Sequence, residues 1–196
     1  MLQIRIHGRG GQGVVTAAEM LSQAAFEQGH HAQAFPSFGS ERTGAPVVAF
    51  CRIDEQEIRL REPILAPDVL IVQDPTLLHQ VDIFQGLKPD GYVLINTRRS
   101  FDELGLADIS SRFRHERLTT VPATDIALRL LGRPLPNAVL LGGFAALSGL
   151  ITLESVEHAI RQKFSGKVAE ANVAGANEAY VYVKNEMMEL AHAQTS

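Results

Sequence analysis

An alternating apolar run, Leu2-Gln3-Ile4-Arg5-Ile6-His7, leads into Gly-Arg-Gly-Gly-Gln-Gly at residues 8–13, and a helical pattern starts at Val14. Strand, glycine turn and helix in that order commit the start of the chain to a βα unit. Such a turn is a ready anion site, because free backbone N–H groups and the positive end of the helix dipole converge on one point. Gly8, Gly10 and Gly13 also satisfy the G-x-G-x-x-G spacing of dinucleotide-binding turns. Val14, Ala17, Ala18, Leu21, Ala24 and Ala25 recur at three- and four-residue steps, as one buried helix face requires. Gly29 closes that helix where a left-handed cap suits glycine. A second strand over residues 31–35 completes a βαβ unit. A nicotinamide-binding unit ends that strand on an acidic residue that holds the ribose hydroxyls. Here it ends Gln33-Ala34-Phe35-Pro36, with no carboxylate before Glu41. The missing acid argues against NAD, while Arg9 and Gln12 suit a charged ligand or partner. The bland alternative is a turn that needs small residues only for helix–strand packing.

Further along, strand and helix patterns alternate, which predicts an α/β fold: three layers around a mainly parallel sheet, with a Rossmann-like first βαβ unit. Residues 47–53 and 57–60, joined by Asp54-Glu55-Gln56, read as an antiparallel hairpin. Residues 68–72, 92–95 and 118–121 read as buried parallel strands. Asp74-Pro75 opens a helix over 76–84, and Thr124 caps one over 125–131. The C-terminal part is helical: 137–150 is apolar nearly all round, 152–164 is amphipathic and capped by Thr152, and 167–192 is one long helix. A helix apolar on every side must be enclosed by its own core or by another chain, and the sequence leaves both open. Asn137 reads as a cap for its own helix. Tyr180, Tyr182, Met187 and Met188 read as core.

The 196 residues fit a single domain over 1–196. A net charge of −4, with no basic run longer than Arg98-Arg99, argues against a nucleic-acid partner. The most apolar stretch, residues 138–151, is too short for a bilayer and is broken by Gly142, Gly143 and Gly149. With no signal-peptide pattern at the start, a cytoplasmic location with no membrane contact is expected. The single cysteine, Cys51, sits in an apolar run. One thiol makes no internal disulfide and holds no iron–sulfur cluster, which takes about four. The histidines show no metal-ligand spacing, so no metal site is expected; His7, at the mouth of the turn, is the one that merits a test.

Together, Ile6-His7-Gly8-Arg9-Gly10-Gly11-Gln12-Gly13 and Ala34-Phe35-Pro36-Ser37-Phe38-Gly39-Ser40-Glu41-Arg42-Thr43-Gly44-Ala45-Pro46 resemble the gamma subunit of 2-oxoacid:acceptor oxidoreductases, the pyruvate:ferredoxin oxidoreductase (pyruvate synthase) family. The similarity continues through Asn137 and Leu141-Gly142-Gly143-Phe144. The resemblance implies a structural, non-catalytic chain of a hetero-oligomer whose alpha, beta and ferredoxin-like subunits carry thiamine diphosphate, magnesium and iron–sulfur clusters. Such a complex oxidatively decarboxylates a 2-oxoacid and delivers the acyl group to coenzyme A. Pyruvate is the default substrate, with phenylglyoxylate or another aromatic 2-oxoacid as the alternative, and ferredoxin or NAD as acceptor. No catalytic residue is expected here. Gly8, Arg9, Gly10, Gly11, Gln12 and Gly13, with Ser37, Glu41, Arg42 and Thr43, are the candidate contacts to coenzyme A; Asn96 is a weaker one. Arg42 can make a forked pairing to phosphate or to a partner's carboxylate. Glu41-Arg42 as an ion pair that orders the loop is the competing reading. Outside the family, the alternatives are a stand-alone NAD(P)-dependent dehydrogenase and a nucleotide- or coenzyme A-binding module.

Overall fold

The computed structural model of the chain describes residues 1–37 and 42–195. Strand β1 (Leu2–Arg9) runs through the glycine turn into α1 (Val14–Glu27), and β2 (His31–Pro36) follows. Next come β3 (Pro46–Asp54), β4 (Val69–Val72), β5 (Tyr92–Asn96), a short α2 (Ala107–Ser110) and β6 (Leu118–Val121). Four helices end the chain: α3 (Ala123–Leu131), α4 (Asn137–Ser148), α5 (Leu153–Lys163) and α6 (Gly166–Thr195). The strands form one sheet in the order β2-β3-β1-β4-β5-β6. Parallel pairing joins β1 to β4, β4 to β5 and β5 to β6, while β3 runs antiparallel between β1 and β2. The expected α/β class, with a mainly parallel sheet and a helical C-terminal part, holds.

The antiparallel element has other partners than expected. Residues 47–53 lie in β3, but residues 57–60 form no strand. Inserted between β1 and β2, β3 buries Val47, Ala49, Cys51 and Ile53 in the main core. Residues 57–60, charged at alternate positions, have no such face to bury. The segment behind them is instead drawn across the sheet by Arg52, whose Nη2 donates to the Glu62 carbonyl at 2.6 Å. Two further expectations shrink or move. The helix after Asp74 is one 3-10 turn, Pro75–His79, though Asp74 does accept from the Thr76 N–H. Helix α3 is capped from a distance: Asn96 Oδ1, at the end of β5, accepts from the Thr124 N–H at 3.0 Å.

Alternation along the strands divides the core. Ile4, Ile6, Ala49, Cys51, Val69, Ile71, Leu94 and Val121 pack under α1, α4, α5 and α6. Leu70, Val72, Val93, Ile95 and Leu118 pack on the other face, beneath a thin cover of turns carrying Leu77, Ile83 and Leu104. Residues Asn137 to Leu147 of α4 are all buried, which decides the open question in favour of enclosure by the chain's own helices. Gly142 makes that possible, because a Cβ there would lie 2.0 Å from the Ala176 carbonyl oxygen of α6. Tyr180, Tyr182 and Met187 pack partly buried against the core, whereas Met188 is exposed.

His7 faces the thin layer, away from α1. Arg5 Nε donates to its Nε2 at 3.1 Å, and Arg5 Nη2 reaches the carbonyls of Ile83 and Gln85 at 2.6 and 2.8 Å. Burial, and secondarily the Arg5 charge, press the His7 pKa from 6.5 to about 3. It is a neutral structural acceptor that fixes Arg5, which in turn pins the cover. In the unfolded chain His7 protonates near 6.5, so its contribution is complete above that pH. As pH falls from 6.5 towards about 3, stability is withdrawn at about 1.4 kcal/mol per pH unit. His7→Gln is expected to flatten the stability–pH curve between these limits relative to the wild type. Parallel curves from urea melts at pH 7, 6, 5 and 4 would overturn this.

Candidate functional site

The glycine turn is closed by its own chain. Gly10 N–H donates to the Ala45 carbonyl at 2.9 Å, and Gly44 N–H donates to the Gly10 carbonyl at 3.0 Å. Gly10 also forms an isolated β-bridge with Thr43. The space where a Gly10 Cβ would stand holds the Arg42 carbonyl oxygen, 2.1 Å away. Backbone approach at Gly10 is therefore made by the second loop. Gly8 is needed for packing, since its Cβ would meet Val14 Cγ2 at 2.5 Å. Gly11 and Gly13 sit at φ 88° and 71°, the left-handed region that favours glycine.

Arg9 and Gln12 are largely spent inside the protein. Arg9 Nη2 donates to Thr76 Oγ1 and Gln80 Oε1, Nη1 donates to the Gly44 carbonyl at 3.0 Å, and Nε lies 3.2 Å from Asp74 Oδ2. Gln12 Oε1 accepts from the Arg9 N–H at 2.7 Å, while Gln12 Nε2 donates to Asp74 Oδ2 at 2.8 Å. Burial opposes ionisation of Asp74, but hydrogen bonds from Thr76 and Gln12, with Arg9 nearby, outweigh it and hold the carboxyl below its ordinary value. Asn96 Nδ2 donates to the Gln73 carbonyl and Gln73 Nε2 to the Gln12 carbonyl. A relay of amides thus runs along the C-terminal edge of β5 and β4 into the turn. After β1 the chain crosses under α1, and after β4 it crosses on the opposite face. The crevice between those strand ends is where α/β folds place dinucleotides; here Arg9, Gln12 and Asp74 bridge it.

The remaining candidates divide. Thr43 lies against the turn; Arg42 is exposed, with its carbonyl accepting from the Ala45 N–H. Ser37 extends the β2–β3 pairing through its N–H to the Val48 carbonyl at 2.8 Å. Glu41 lies outside the described residues. Asn96 serves the relay and α3 rather than facing a ligand. Asn137 does not cap its own helix: its Nδ2 donates to the Gly13 carbonyl at 3.3 Å and ties α4 to the turn.

Beside the turn, on the helical face, lies a cleft of about 630 Å³. Its lining includes Gly11, Gly13 and Thr16 at the start of α1, with Arg133, Lys163 and Lys167 as cations. Leu130, Leu131, Leu135, Phe164 and Val168 supply an apolar wall, and Asn137 and Asn172 add amides. No side chain caps the N-terminus of α1, so its dipole faces this space. Gly11 and Gly13 were sequence candidates, but Thr16, Arg133, Lys163 and Lys167 were missed, because the lining comes from three segments far apart in sequence. The signal that was available is the spacing of Lys163 and Lys167 across the Gly166 break. Among the described residues no group of three or more His, Cys, Asp or Glu is placed to hold a metal, and no helix is long and apolar enough to cross a membrane. Cys51 is fully buried, and burial pushes its thiol up to about 12.

With this geometry in view, the comparison with known proteins is decisive on kinship. The family model for pyruvate ferredoxin/flavodoxin oxidoreductase matches residues 3–182. The chain belongs to that family. It is 52% identical over 186 residues to the pyruvate synthase subunit PorC of Methanosarcina barkeri, covering 95% of this chain and 99% of that one. It is 48% identical over 190 residues to the pyruvate/ketoisovalerate oxidoreductases common subunit gamma of Pyrococcus furiosus, covering 97% and 100%. Within the same family, the crystal structure of pyruvate oxidoreductase subunit PORC from Thermotoga maritima superposes with a TM-score of 0.76 at 38% identity, covering 91% of this chain and 94% of that one.

Proposed function

We propose that the chain is the gamma subunit, a single domain over 1–196, of a multi-subunit 2-oxoacid oxidoreductase acting on pyruvate. In this reading partner subunits carry thiamine diphosphate, magnesium and iron–sulfur clusters, and this chain helps to form the coenzyme A side of the active-site cleft. The observation that carries it is the end-to-end match to subunits named gamma and PorC. The donor set supports the division of labour. A cluster needs several thiolates, and Cys51 is a lone, buried thiol with its pKa raised. Coenzyme A brings phosphates and an apolar arm, and the cleft beside α1 offers cations, helix N–H groups and an apolar wall. Arg42, exposed on the second loop, stands where it can reach a ligand or a neighbouring subunit. Bound coenzyme A would supply the thiol that accepts the acyl group; this chain's part is to bind and orient it. A stand-alone dinucleotide dehydrogenase is disfavoured by the Arg9–Gln12–Asp74 bridge across the strand-end crevice.

Isolation from its native cell is expected to bring down cluster-bearing and thiamine diphosphate-bearing chains. Coenzyme A-dependent pyruvate oxidation is expected of that assembly and not of the recombinant chain. Turnover by the lone chain, or an assembly indifferent to coenzyme A, would sink the reading. Arg42→Ala is expected to raise the KM for coenzyme A at unchanged assembly if the side chain meets the ligand. If it meets a subunit, size-exclusion profiles shift instead.

A further inference from the structure

We propose that residues 55–61 pair with the same segment of a second copy of this chain, antiparallel and centred on Ile58. The segment reads Glu-Gln-Glu-Ile-Arg-Leu-Arg, so both acids precede Ile58 and both bases follow it. Pairing about Ile58 sets Glu57 opposite Arg59 and Glu55 opposite Arg61, and the two-fold repeats both contacts. No like charges meet in that ladder. Centring on Arg59 instead would set Arg59 against Arg59, and parallel pairing in register would set every charge against itself. Opposite charges directly across two strands stabilise the pair, whereas like charges oppose it. The charge order therefore selects both a partner and a register. Asp54, the next acid, is neutralised by the Met1 ammonium at 3.2 Å and stays out of the ladder.

The fold holds this segment ready and leaves it unpaired. Residues 57–61 run without a bend between β3 and β4, yet they belong to no strand. Among the described residues no hydrogen bond uses their main chain. An extended backbone with its ladder groups unspent is a template for another strand. Both flanks are fixed. Strand β3 ends at Asp54 on one side; on the other, Arg52 holds the Glu62 carbonyl at 2.6 Å and Arg5 the Ile64 carbonyl at 3.4 Å. Glu55, Glu57, Arg59 and Arg61 are exposed, while Ile58 is half-buried. Glu57 and Arg59 bond each other at 3.2 Å with side chains 69% and 86% exposed. So open a contact contributes little and is readily exchanged for the one across the two-fold. Leu60 and Leu65 follow on the same stretch, 44% and 79% exposed, and add apolar surface for a second copy to cover.

Sedimentation equilibrium of the full chain tests this. Two short strands bury little, so a weak dimer is expected, with a dissociation constant of about 10–100 μM. Two double variants then read the ladder. Glu55→Arg with Glu57→Arg makes the segment wholly basic; Arg59→Glu with Arg61→Glu makes it wholly acidic. All four positions are exposed, so both variants are expected to melt with the wild type. Each alone is expected to lose affinity for itself by at least about tenfold. An equimolar mixture of the two is expected to recover a heterodimer, because every rung again joins opposite charges. A dimer indifferent to both changes overturns the proposal, as do variants that fail to recover each other. A wild-type chain that stays monomeric through that range also overturns it. If charge reversal then disrupts the assembled complex, the segment belongs to a different subunit instead.

Discussion

Gly10→Val is expected to force the two loops apart and to cut coenzyme A-dependent turnover of the assembled enzyme by more than tenfold. The cause is a clash inside the protein, because the first added carbon would lie 2.1 Å from the Arg42 carbonyl oxygen and 2.8 Å from its carbon. Neither is the end of a flexible side chain, so the loop backbone must move. Separation breaks the Gly10–Ala45 and Gly44–Gly10 hydrogen bonds, each worth about 1 kcal/mol. It also removes the Gly44 carbonyl from Arg9. Gly11→Ala is the control: nothing stands closer than Thr43 Cγ2 at 3.9 Å, although the backbone is left-handed. Its expected cost is about 1 kcal/mol of stability, with turnover nearly intact. Thermal melts with steady-state kinetics on both variants decide the matter; equal behaviour would contradict the clash.

The largest loss of stability is expected at Gly142. A Cβ there would lie 2.0 Å from the Ala176 oxygen, 2.5 Å from its carbon and 2.7 Å from its Cα. All three atoms belong to the backbone of α6, so no rotamer change relieves the overlap. Overpacking of this kind is expected to cost about 3 kcal/mol or more even for Gly142→Ala. In a chain of this size that corresponds to a fall in Tm of roughly 6–12 °C. Gly143→Ala serves as comparison, since its nearest neighbours are side-chain carbons at 3.5 Å. A Gly142→Ala variant that melts with the wild type would mean that α4 and α6 do not meet this closely.

What the sequence made legible follows periodicity. The α1 pattern from Val14 to Ala25 is strong and local, and it placed both helix and glycine turn correctly. Residues 57–60 misled because alternation is a local signal, whereas β3 takes its partners from β1 and β2, distant in sequence. The stretch after Asp74 misled in the opposite sense: the cap is real, but its helix stops after one turn. His7 looked functional from its position next to the turn. Strand alternation turns it to the opposite face, where Arg5 claims it. The glycine turn announced itself because its residues are consecutive. The cleft beside it did not, because Thr16, Arg133, Asn137, Lys163 and Lys167 meet only when α1, the α3–α4 connection and the α5–α6 junction are assembled.

The sealed position of Cys51 carries a practical consequence for the bench. This chain's one sulfhydryl is out of reach of oxidants, so a thiol reagent is expected to find nothing to label in the native chain, even after exposure to air, and one equivalent once the chain is unfolded in urea.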